Sequence, residues 1–144
     1  MSVLDTPLWL TQYVEQWQKK LLLSEWRIKI KIALAPNNDV NALAICETVS
    51  NIHSATLTFR ADIEQNQDSE ETIIHEVLHV RHALTDQAIW SMLTTLLPES
   101  DRQLIYISYS NEMERFIDGM SKILWKMDQP QPLRLEVKEQ KDAV

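Results

Sequence analysis

Between Trp26 and Leu34 the chain alternates with a period of two: Trp26, Ile28, Ile30, Ile32 and Leu34 are separated by Arg27, Lys29, Lys31 and Ala33. Only an extended strand, whose successive side chains leave opposite faces, sets such a run half into a core and half into water. On either side the pattern changes. Before it, Thr6 as N-cap and Pro7 at the first helical position open an amphipathic helix over residues 7 to about 22, carrying Trp9, Leu10, Tyr13, Val14, Trp17 and Leu21. After it, the run 36–39 (Pro-Asn-Asn-Asp) reads as a loop and Ala42 to Ser50 as a second strand, with Leu43, Ile45 and Val49 alternating with smaller residues. Asn51 and Ile52 then connect to a third strand from His53 to Arg60, giving a hairpin. The expected core is a three-stranded sheet, mixed or antiparallel, with a helix before it.

The stretch from Thr72 to His82 returns to the helical period. Ile73, Val77, Val80 and Leu84 fall at i, i+4, i+7 and i+11, one stripe for burial, while His75, His79 and His82 lie on the roughly opposite stripe. Asp68 with Glu71 suggests a capping box, placing the helix start near residue 69. Within it, His75-Glu76-x-x-His79 is a His-Glu-x-x-His pattern. One turn separates the imidazoles, so both can converge on one tetrahedral ion, and Glu76 sits beside them as a base for a metal-activated water. A single His on a helix is usually structural. Two at this spacing, with Glu after the first, in a chain with four His, read as a metal site.

A catalytic zinc site commonly takes three protein ligands and keeps an open position. His82 is a poor third, because on an unbroken helix it lies about 10.5 Å along the axis from His75. It becomes a cleft-wall residue. Downstream, Thr85 or Asp86 caps a further helix carrying Ile89, Trp90, Leu93, Leu96 and Leu97, which Pro98 stops. Ser100 with Gln103 opens another over about 101 to 127, with a strand as the alternative for 104–109. On that last helix Glu112, Phe116, Met120 and Ile123 share a face and Glu114 points elsewhere, so Glu112 is the candidate third ligand; the alternative is an ordinary solvated Glu.

Length, composition and charge exclude several classes. At 144 residues the chain fits one domain, drawn as 1–128, with 129–144 as a charged C-terminal tail in which Leu133, Leu135 and Val137 could add a short strand. A formal charge of −7 argues against a nucleic-acid partner. The one cysteine, Cys46, excludes an intrachain disulfide and fits a reducing, cytoplasmic setting. No stretch approaches the length of a membrane span, so no membrane partner is expected.

The run from Glu71 to Val80, preceded by a small sheet and followed some thirty residues later by Asn111-Glu112-x-x-x-Phe116, resembles the small gluzincin metallopeptidases. Among them it is most similar to the short phage and prophage peptidases related to the ImmA/IrrE group. The order of elements matches over roughly residues 26 to 127, and the specific part is the His-Glu-x-x-His segment. The resemblance implies an α+β, zincin-like fold, a small three-stranded sheet with about four helices. It implies zinc held by His75, His79 and Glu112, with Glu76 as catalytic base. The activity implied is hydrolysis of peptide bonds in a protein or peptide substrate. No oxyanion-stabilising group is assigned, Tyr106 and Tyr109 being weak candidates.

Two other readings stand beside it. A zincin-like scaffold could bind a protein partner without cutting it. A deformylase-like site would use Cys46 as a ligand, but those enzymes carry Gly-rich segments and this chain has one glycine, Gly119. Cys46 reads instead as a small buried hydrophobe and His53 as a polar edge-strand residue.

Overall fold

The computed structural model describes residues 5–130. In chain order these form α1 (Leu8–Lys20), β1 (Arg27–Ala33), β2 (Ala44–Val49), β3 (Ser54–Arg60), α2 (Gln67–Leu96) and α3 (Glu99–Asp128), with single 3₁₀ turns at Pro36–Asn38 and Ser50–Ile52. The fold is α+β, with a three-stranded mixed sheet and three helices. The expected short strand around Leu133 lies outside the described residues.

The strand order is β1-β3-β2, with β3 parallel to β1 and antiparallel to β2. The hairpin expected between the second and third strands is therefore present, and the sheet is mixed. The central strand is the most buried: Ala55, Leu57 and Phe59 are 2%, 0% and 0% exposed. Register puts Ile28, Ile30 and Ile32 beside them on one side and Thr48, Cys46 and Ala44 on the other. Arg27, Lys29 and Lys31 remain exposed, as the alternation requires.

The larger residues of β2 face the other way. Ile45 pairs with Thr58, so it leaves the outer face, and Val49 is exposed, while the inner face of β2 is built from Ala44, Cys46 and Thr48. Small side chains there leave room where α2 crosses β2.

α1 buries Leu10, Tyr13, Val14 and Trp17, much of the stripe expected for it. It starts at Leu8, with Pro7 itself as N-cap in place of Thr6. The left-handed residues of the connections are Leu22, Asn37, Asn38 and His53, none of them glycine. Two are Asn, whose short polar side chain tolerates this conformation best. Gln18 Nε2 closes the α1–β1 turn by donating to the carbonyls of Leu23 (3.0 Å) and Trp26 (2.8 Å).

Two of the expected helices are one. α2 runs unbroken from Gln67 to Leu96 through Thr85 and Asp86, because no Gly or Pro interrupts it. Asp86 does not act as a cap: its Oδ1 accepts from the Tyr109 hydroxyl at 2.6 Å. The helix ends where Leu97 turns extended ahead of Pro98. Its capping box is Asn66 with Ser69 in place of the expected Asp68 with Glu71. Ser69 N–H donates to Asn66 Oδ1 at 2.9 Å, and Ser69 Oγ receives the Asn66 N–H at 3.0 Å. α3 is helical throughout 104–109, where a strand was the alternative. It returns antiparallel to α2, and Asp128 pairs with Lys20 and Gln16 to tie its end to α1.

Candidate metal centre

α2 lies across the sheet with Ile73, Ile74, Val77 and Val80 all 0% exposed. That burial fixes the helix rotation and turns His75 and His79 towards α3. The expected stripe holds except at its end, where Leu84 is 46% exposed beyond the sheet.

Three donor groups converge there. His75 Nε2 lies 2.8 Å from Glu114 Oε1, His79 Nε2 lies 3.0 Å from Glu114 Oε2, and the two Nε2 atoms are 3.2 Å apart. Two nitrogens and a carboxylate at such separations form a group able to hold a metal ion. Tetrahedral coordination at ordinary Zn–N and Zn–O lengths needs donors about 3.3 Å apart, so this set fits with little rearrangement. Burial, opposed by Glu114 and reinforced by His75, holds the His79 imidazole below its usual pKa, favouring the neutral form that coordinates. Asp118 Oδ1 stands 3.8 Å from His75 Nδ1 and backs that ring from the side away from the cluster.

The carboxylate beside the histidines is Glu114; the sequence expectation was Glu112. Glu112 is exposed and accepts from Arg115 Nη1 at 2.8 Å, an i, i+3 surface pair. The reason is the rotation of α3. Its apolar residues make two stripes, and the one that packs is Met113, Ile117, Met120 and Leu124. The stripe through Ile105, Phe116 and Ile123 is exposed at 46%, 52% and 53%. Periodicity shows both stripes and does not rank them. Glu114, Asp118 and Ser121 flank the packed one at i, i+4 and i+7, a polar row that stands out only once it is known which stripe packs.

Glu76 is 7% exposed, next to His75 and under the small inner face of β2. Burial, with a smaller contribution from Glu114, pushes its carboxyl up to about 7. Cys46, on the same inner face, has its thiol pushed up to about 12, mainly by burial and then by Glu76 and Glu47. The sequence reading of a small buried strand residue holds in part: Cys46 lies in β2 and is half-buried. Two cavities open along this row. One of about 310 Å³ is lined by Ala44, Cys46, His75, Glu76, His79, Asp86 and Glu114, and one of about 390 Å³ by Leu43, Ala44, Asp68, Glu71, His75, Glu76 and Asp118 among others.

The remaining candidates are elsewhere. His82 packs its ring edge-on against Phe116, centroids 5.9 Å apart, and is not one of the converging donors. His53 takes a left-handed conformation after the 3₁₀ turn and stacks on Trp26 at 5.2 Å. Tyr106 packs against Trp90 in the α2–α3 seam at 4.9 Å. Tyr109 donates a hydrogen bond to Asp86, which lines the smaller cavity, and burial and that carboxylate raise its pKa.

Comparison with known protein families, with curated proteins and with solved structures finds no match. No helix among the described residues is long and apolar enough to cross a membrane.

Proposed function

We propose that this chain is a zinc-dependent peptidase whose metal is held by His75, His79 and Glu114. The observation that carries the reading is the convergence of His75 Nε2, His79 Nε2 and Glu114 from two helices, all within 4.8 Å of one another, with a buried carboxylate one residue from the first histidine. Zinc in such a site supplies a Lewis acid that polarises a carbonyl and acidifies water. Glu76, with its pKa near neutrality, is suited to take a proton from the attacking water and return it to the leaving amine. Asp118, 3.8 Å from His75 Nδ1 and paired with Lys122, adds a negative charge beside that ring. β2 pairs only with β3 among the described residues, so its outer edge is open to an extended peptide running past Ala44, Cys46 and Thr48 along the cavities. A protein segment in extended form is the substrate this favours.

The test measures bound zinc per chain after reconstitution and desalting, alongside hydrolysis of labelled casein. Wild type should retain about one zinc by the tetrahedral-site argument. His79→Ala and Glu114→Ala should lose it, and Glu112→Ala should not. Glu76→Gln should keep the metal and lose turnover. A wild-type chain that retains no zinc refutes the reading, and zinc retention without hydrolysis in any condition leaves a metal-bearing binding module in its place.

A further inference from the structure

We infer that the larger cavity beside the metal cluster is a subsite for the side chain of a lysine or arginine next to the scissile bond, with Asp68 and Glu71 as the residues that select it, an assignment that rests on the peptidase reading. This cavity of about 390 Å³ shares Ala44, His75 and Glu76 with the smaller one at the cluster. A segment lying along β2 past the cluster therefore carries one of its side chains over the larger cavity, at Leu43 and Ala44.

One wall of the cavity is a row on α2. Asp68, Glu71, Thr72 and His75 lie at i, i+3, i+4 and i+7, so a single stripe of the helix leads from the cluster back to the helix start. Glu71 comes four residues before His75, roughly 6 Å along the axis. A lysine or arginine side chain that starts beside the metal spans that distance, laying its aliphatic stem on Leu43 and Ala44 and its cation at Glu71. Asp68 adds its charge one turn further on.

Charge and hydrogen bonding choose this occupant. No lysine or arginine lines either cavity. Arg27, Lys29 and Lys31 alternate onto the exposed face of the sheet. Asp118 also lines the larger cavity and pairs with Lys122 at 3.1 Å, whereas Glu71 accepts from the neutral Gln67 amide at 2.9 Å. Lys126, which lines the next cavity with Glu71, forms no ion pair among the described residues. Asp68, Glu71 and Asp118 thus face one paired cation, Lys122, and a like-charged or apolar side chain would leave the surplus carboxylates uncompensated. Glu76 independently marks the cavity as a place for a ligand: it is 7% exposed and lines the cavity, and no hydrogen bond from the described residues satisfies its carboxyl. A buried acceptor left open is costly, and a bound segment supplies backbone N–H donors to it.

The test titrates the zinc-treated full chain, followed by NMR, with two blocked tripeptides: acetyl-Ala-Lys-Ala-amide and its norleucine counterpart, which keeps the four-carbon stem and drops the charge. This readout needs neither bound metal nor turnover. The lysine peptide should bind at least about fivefold more tightly and shift the amide signals of Leu43 and Thr72. Asp68→Asn with Glu71→Gln should erase that preference, whereas Glu99→Gln with Asp101→Asn, the same change of charge in the first turn of α3, should leave it. Equal affinities overturn the inference, as does a preference that survives the first pair of substitutions or disappears with the second. Mass spectrometry of casein digested by the same protein reads the cut sites. Cleavage with no lysine or arginine beside the cut bond overturns the subsite and leaves the peptidase reading standing. A lysine preference in the tripeptides without any cleavage supports the cationic subsite and removes the peptidase reading alone.

Discussion

Replacing Glu76 with Gln should make the metal-free protein more stable, and the gain should grow with pH in a defined window. The side chain is 7% exposed, and its folded pKa of about 7 stands against an ordinary value of 4.5. An acid whose pKa is raised on folding contributes its full stability below the unfolded pKa, because the buried form is then neutral in both states. As pH rises past 4.5 the unfolded chain releases the proton and the folded chain retains it, so wild type loses stability up to about pH 7 and the loss is constant above that. The shift of about 2.5 units at roughly 1.4 kcal/mol per unit sets the full gap at about 3 kcal/mol. Gln has nearly the same shape and no charge, so it escapes this loss. Urea unfolding of both proteins with chelator present, from pH 4 to above about pH 8, reads the difference directly because every other titrating group is shared. A difference that stays flat across that range would refute the argument and mean that water reaches the carboxylate.

Three further outcomes follow from the same packing. Phe59→Ala, at the centre of β3 and fully buried, should cost about 3–5 kcal/mol in urea unfolding; a cost below 1 kcal/mol would mean that the sheet is not the core. Asn66→Ala removes the side-chain half of the α2 capping box and should cost about 1 kcal/mol, whereas Asp68→Ala, at the site expected from sequence, should change stability by a few tenths. Cys46 should react with a disulfide reagent at pH 8 at least about a hundredfold more slowly in the folded chain than in urea, since the thiolate is the nucleophile and burial pushes the thiol up to about 12. Equal rates would place the thiol in water.

The sequence by itself determined most of the local structure, because period and punctuation are properties of neighbouring residues. The two-residue alternation of 26–34 and 54–60 made β1 and β3, and the i, i+4, i+7 stripe of Ile73, Val77 and Val80 made the buried face of α2 and set His75 and His79 on another. Where several local patterns were compatible, tertiary contact chose. Thr85 and Asp86 could have capped a new helix, but Tyr109 of α3 occupies the Asp86 carboxylate and α2 continues. Two apolar stripes on α3 were equally regular; packing of Met113 and Ile117 against the core selected one, and that rotation brought Glu114 to the histidines and sent Glu112 to Arg115. A helix fixes which side chains share a face, yet which face meets the core depends on the partner surface. For that reason the two histidines could be read one turn apart from sequence, and the third member of the cluster, from a helix 39 residues away, could not.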